Sequence, residues 1–105
     1  MKSLKIAKIL GIEVGYIIRT FYRRNSHLKN LSYSEHFKFL KKFAPVHFNH
    51  FSENMQDLGY ECEEFIFDLE SLQKKWAQES GCTYAQHSWK VDILMQQLCK
   101  SKPDV

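Results

Sequence analysis

Glycine is scarce in this chain, with four among 105 residues. That scarcity excludes the glycine-rich phosphate loops by which many nucleotide-binding folds are recognised. Gly11 and Gly15 are spaced Gly-x-x-x-Gly and match neither the dinucleotide fingerprint nor the P-loop. Cysteine is also sparse. Cys62, Cys82 and Cys99 form an odd set without framework or CxxC spacing. They read as reduced thiols of a cytoplasmic protein, not as a disulfide scaffold or a zinc site. No apolar run approaches the roughly 20 residues that a membrane span needs. The first residues, to Val14, are interrupted by Lys5, Lys8 and Glu13 and lead to no small-residue cleavage site, which argues against a signal peptide.

What is present is ordinary for a folded domain. Hydrophobic residues make up 44% and aromatics 14%, which excludes a disordered chain. The length suits one domain with a modest core. Net charge is +3, but it is unevenly spread. Residues 1–42 carry ten Lys or Arg against Glu13 and Glu35, whereas residues 43–105 carry five against ten Asp or Glu. A basic half can mark an anionic partner; the plainer explanation is that the two halves pair with each other or are solvated.

Patterning predicts an α/β chain in the order β-α-α-α-β-α-α-(β). Lys5–Val14 is rich in Ile, Leu and Val and reads as a first strand. Tyr16–Arg24 reads as a helix with Tyr16, Ile17, Thr20 and Phe21 on its inner face, ended by Asn25 and Ser26. Ser32 and Glu35 form a capping box for a helix to about Phe43, with Tyr33, Phe37, Leu40 and Ala44 inward, stopped by Pro45. Phe51, Met55 and Leu58 define a short helix that Gly59 closes. Tyr60–Phe67 is a second strand, and Asp68 is placed to cap a helix whose inner face is Leu69, Leu72 and Trp76, ending at Gly81. Ser88 then caps a last helix that buries Val91, Leu94, Met95 and Leu98. Lys102-Pro103-Asp104-Val105 reads as the start of a third strand, so the chain is expected to be an incomplete, truncated Rossmann-like domain of residues 1–105. Helical crossovers favour parallel strands; the competing fold is all-α.

Few constellations carry chemistry. Glu13–Arg19 falls at the carboxyl end of the first strand, where open α/β sheets bind ligands, and a helix starting near Tyr16 offers backbone amides there. Asp68 and Glu70 follow the second strand, where an acid can hold a ribose, although capping suits Asp68 better. His47-x-x-His50 lacks a third ligand for a metal, and Cys82 with His87 has no feature that recommends it as a nucleophile pair. No catalytic residue, metal or cofactor is assigned. Arg19, Arg23 and Arg24, interleaved with Tyr16, Phe21 and Tyr22, resemble a basic-aromatic surface that Lys38, Lys41 and Lys42 extend. Arg19 and Arg23 are one turn apart and suited to clamp a phosphate. The simpler alternative puts these aromatics in the core and the arginines in solvent, and nucleic acid is accordingly disfavoured.

Phe21-Tyr22-Arg23-Arg24-Asn25-Ser26-His27-Leu28, followed by Leu31-Ser32-Tyr33-Ser34-Glu35, resembles the amino-terminal part of bacterial GT-B glycosyltransferases of the spore-maturation and family-4-like types. Phe51–Glu61, Leu69–Ala77 and the final Lys-Pro-Asp-Val continue the likeness, which runs from about Lys8 to Val105. The resemblance implies the acceptor-side, Rossmann-like domain of a nucleotide-sugar-dependent transferase. The donor would sit mainly on a second domain absent from this sequence, a glycan or small-molecule acceptor would sit on this one, and no metal would be needed. It makes Glu13, Gly15, Tyr16 and Arg19 the acceptor-cleft candidates and implies that the isolated chain does not catalyse transfer. Two other functions compete: a small polyanion-binding module using the basic half, and an interaction domain whose open sheet edge pairs with a partner or a second copy.

Overall fold

The structure, a computed structural model, describes residues 4–11, 16–43 and 51–105. Among them lie two strands, five α-helices and one 3₁₀ helix. Their order is β1 (Lys5–Leu10), α1 (Tyr16–Arg24), the 3₁₀ helix (Ser26–Asn30), α2 (Tyr33–Phe43), α3 (Phe51–Asp57), β2 (Glu61–Ile66), α4 (Glu70–Ser80) and α5 (Trp89–Ser101). The class is α/β, as the spacing of strand and helix patterns predicts.

β1 and β2 pair in parallel, with Lys5 opposite Glu61 and Leu10 opposite Ile66. β1 is shorter than the expected Lys5–Val14. It stops where its partner turns away at Phe67, whose N–H donates to the Leu10 carbonyl at 3.0 Å. Gly11 is already outside the strand, and residues 12–15 lie outside the described part. β2 likewise covers Glu61–Ile66, one residue shorter at each end than predicted.

The expected third strand does not form among the described residues: the sheet has two strands, and the terminal residues only hydrogen-bond to the edge of β1. The Asp104 and Val105 N–H groups donate to the Lys5 carbonyl at 2.7 and 3.2 Å, and the Val105 carbonyl accepts from the Ala7 N–H at 3.0 Å. This bracketing of Ile6 is the parallel pattern. β2 uses the Leu4 and Leu10 carbonyls. Alternate residues of a strand turn their backbone groups to opposite edges, so the terminal residues lie on the edge of β1 that β2 leaves open. The Asp104 carboxylate fixes the arrangement by accepting from the Lys5 N–H at 2.9 Å.

Side chains of β2 alternate between two environments. Ile66 enters the main core, a cluster of Ile18 and Phe21 from α1, Leu28, Leu40 from α2, and Leu69 and Leu72 at the start of α4. On the other face Glu63 accepts from the Ser101 hydroxyl of α5 at 3.0 Å and pairs with Lys5 at 2.7 Å. Several inward faces differ from expectation. Ile18, not Ile17, is buried on α1; His36 joins Leu40 on α2; Leu58 is exposed; and on α5 Ile93 and Gln97 are buried while Val91 and Met95 face outward. Apolar residues nearly encircle α5, so its sequence leaves the phase open, and its contacts with α4 decide it. Tyr33 and Phe37 pack against the core from its margin; Ala44 and Pro45 lie outside the described residues.

Helix ends follow local chemistry more closely. The Ser32 hydroxyl accepts from the Glu35 N–H at 3.2 Å, the serine half of a capping box. Gly81 ends α4 in the left-handed conformation at φ 68°, where a β-carbon would be strained. The N-cap of α4 is Leu69, in extended conformation and without a side-chain cap, rather than the predicted Asp68.

α4 and α5 are joined by a buried amide pair. Gln73 Nε2 donates to Gln97 Oε1 at 2.8 Å and Gln97 Nε2 donates back at 2.9 Å, with both residues essentially inaccessible. Replacing one partner strands two buried polar atoms of the other. Gln97→Leu should therefore cost about 2 kcal/mol in urea unfolding, and Gln73→Leu added to it should recover most of that loss. Equal losses from the single and double variants would show that the pair is energetically idle.

Candidate anion-binding cleft

Parallel pairing brings the carboxyl ends of β1 and β2 together at Leu10 and Ile66. α4 starts at the same end, four residues after β2. Between α1, the 3₁₀ helix and the first turn of α4 lies a cleft of about 680 Å³. Gly11 lets the β2–α4 turn close against β1: a β-carbon there would meet the Phe67 ring at 3.0 Å and an Asp68 carboxylate oxygen at 3.2 Å. Asp68 therefore presents its side chain at the end of β1, along the cleft, instead of capping α4.

Arg19 and Arg23 line the cleft from α1, Ser26 and Lys29 from the 3₁₀ helix, and Asp68, Glu70, Ser71 and Lys74 from the β2–α4 junction. Lys74 is already engaged. Its ammonium donates to Glu70 at 2.6 Å and to the Gln86 side chain at 2.8 Å, and lies 5.7 Å from the Tyr84 ring centroid. The bond from Lys74 holds the Glu70 carboxyl below its usual range. Arg19, Arg23 and Lys29 make no ion pair with any described residue.

Behind the cleft wall Tyr22 links to the interior. Its hydroxyl is 2.8 Å from His36 Nε2. Burial pushes the phenol up to about 12, against a smaller opposing pull from the Ser71 hydroxyl. The imidazole is held neutral, its pKa lowered to about 4 by burial and by the charge of Lys75. His36 Nδ1 has no partner.

The structure separates the predicted basic patch. Arg19 and Arg23 reach the cleft, whereas Arg24 turns to a second groove of about 600 Å³ with Ile17, Phe39 and Phe43. That groove is mostly apolar and carries one cation. Lys38, Lys41 and Lys42 sit on α2 and line neither cavity; Lys41 pairs with Glu53 and Glu64, and Lys42 stands over the Phe43 ring. Of the acceptor-cleft candidates, Arg19 lines the cleft, Tyr16 begins α1, and Glu13 and Gly15 lie outside the described residues, as do His47 and His50. The Cys82 thiol points to the Ser80 carbonyl at 3.9 Å. Sequence patterning missed Ser26 and Lys29, because the short 3₁₀ helix that carries them has no period to detect.

Among the described residues no group of three or more His, Cys, Asp or Glu is placed to hold a metal ion, and no helix is long and apolar enough to cross a membrane. Compared with known proteins, the chain matches no family model, no curated protein and no solved structure at a significant level.

Proposed function

We propose that this chain is the acceptor-side, Rossmann-like domain of a glycosyltransferase-like protein, and that the acceptor lies in the cleft between α1 and α4. The observation that carries the proposal is the convergence of Arg19, Arg23, Lys29 and Asp68 at the carboxyl ends of two parallel strands, the place where open α/β sheets take their ligands. The parallel pairing of β1 and β2 suits such a sheet. The chain supplies binding and orientation; the nucleotide-sugar donor belongs to the other domain of this enzyme type, so the isolated chain is inactive in transfer. The polyanion-binding alternative loses support because its six cations are divided among three surfaces.

The test is an amide chemical-shift titration with neutral saccharides at millimolar concentration, using hexoses, N-acetylhexosamines and their disaccharides. At least one should shift the amides of Arg19–Lys29 and Asp68–Ser71 and leave those of α5 in place. Silence of the cleft toward all of them, with heparin or duplex RNA shifting the α2 lysines instead, would replace this reading by the polyanion module.

A further inference from the structure

Four cations and two carboxylates line the cleft, a surplus of two positive charges. Lys74 and Glu70 neutralise each other at 2.6 Å, and the other charged residues lining the cleft are Asp68, Arg19, Arg23 and Lys29. Lys5 and Lys41 are differently placed: each has an acidic partner within 3.4 Å. Arg19, Arg23 and Lys29, which make no ion pair with any described residue, give the concavity an excess of positive charge that an entering anion offsets.

The geometry specifies which anion. Arg19 and Arg23 are four residues apart on α1, so both guanidinium groups project on one side of the helix. A guanidinium offers paired N–H donors that match two oxygens of a phosphate, and two such forks can share one tetrahedral group. Opposite them, the first turn of α4 presents backbone N–H groups without a side-chain cap, adding the positive end of an eleven-residue helix. Asp68, Ser26 and Ser71 line the same cleft, and a carboxylate beside hydroxyls suits the hydroxyl groups of a sugar rather than more negative charge. The volume, about 680 Å³, fits a small molecule and is within the usual range for such sites.

We infer that the ligand of this cleft is a phosphorylated saccharide, its phosphate held by Arg19, Arg23 and Lys29 and its hydroxyls by Asp68 and Ser71. The saccharide half rests on the acceptor reading above; the phosphate half rests on the charge arrangement alone.

Calorimetric titration with glucose, glucose 6-phosphate and inorganic phosphate tests it, on the wild type, an Arg19→Gln/Arg23→Gln double variant and a Lys38→Gln control. The phosphate ester should bind about tenfold more tightly than glucose, the gain expected of one charge-assisted contact. The double variant should lose that gain, and the control should keep it. Circular dichroism confirms that these exposed substitutions leave the fold intact, and Lys29→Gln gives a second, independent loss. Equal binding of glucose and its phosphate, or a phosphate gain that survives the double variant, overturns the inference while the acceptor reading stands. Inorganic phosphate binding as well as the ester, with glucose not binding at all, overturns the acceptor reading and the saccharide half together. Co-sedimentation with phosphatidylglycerol vesicles that the double variant abolishes would assign the three cations to a membrane surface and overturn the inference as well.

Discussion

Acidification from neutral pH to about pH 4 should remove about 3 kcal/mol of folding stability through one side chain, His36. The residue is fully buried on α2, with Tyr22 at 2.8 Å from Nε2 and Nδ1 unpartnered. Burial, reinforced by the nearby Lys75 charge, lowers its pKa from 6.5 to about 4. In the unfolded chain the imidazole takes up its proton as pH falls through 6.5, whereas in the folded chain it resists until about 4. Over that window the unfolded state binds more protons, so stability rises with pH and is lost on acidification. At about 1.4 kcal/mol for each unit, the full shift gives about 3 kcal/mol, a large part of the 5 to 15 kcal/mol or so typical of a domain. The carboxylates of Glu70 and Asp92, both held below their usual range, titrate at lower pH and add their own losses there. The measurement is therefore a difference: urea unfolding of the wild type and of His36→Phe from neutral pH to pH 4. The gap between the two should change by about 3 kcal/mol, with the wild type relatively weaker in acid. Parallel curves, or an imidazole NMR signal for His36 that titrates near 6.5, would dispose of the prediction.

His36 also shows where sequence stops informing structure. A histidine at helical spacing beside Phe37 and Leu40 looks like a polar interruption, and the expected inner face of α2 passes over it. Its burial follows from Tyr22, fourteen residues earlier, which supplies the polar contact that the interior demands. Gln73 and Gln97 were hidden for the same reason: each satisfies the other across two helices, and neither is legible alone. Features governed by neighbours in the chain were readable. Ser32 bonds the Glu35 amide, Gly81 takes the left-handed turn, and the alternation of strand and helix patterns gives the α/β order. For the cleft, Arg19 and Arg23 could be paired from their four-residue spacing. Lys29 and Asp68 join them only because the 3₁₀ helix folds back and Gly11 admits the β2–α4 turn, which are events of tertiary packing.

Lys41→Met should cost about 3 kcal/mol, more than its place in a solvated cationic run would suggest. The ammonium lies 3.4 Å from Glu64 Oε1 and 3.1 Å from Glu53 on α3. The Glu64 side chain is only 3% exposed; the Ser52 hydroxyl also donates to Oε1, and Oε2 has no partner. Burial works to lower the Lys41 pKa, but its bonds to Glu53 and its attraction to Glu64 outweigh this, and the net shift is upward. Lys41 is therefore the counter-charge of a buried carboxylate, and removing it leaves that charge in the interior with one hydroxyl donor. Breaking a fully buried pair in this way costs about 3 to 5 kcal/mol, and the partial exposure of Lys41, 28%, argues for the lower end. Glu64→Gln removes the charge that made the loss severe. Lys41→Met/Glu64→Gln should thus recover about 2 kcal/mol relative to Lys41→Met, giving a coupling of that size in a double-mutant cycle. If the two losses simply add, the carboxylate is stabilised by something other than Lys41. If Lys41→Met is neutral while Lys38→Met is not, then Lys38 holds the structural role assigned here to Lys41. Because Lys41, Ser52 and Glu64 come from α2, α3 and β2, the expected coupling also measures how firmly the sheet edge is tied to the helices that cover it.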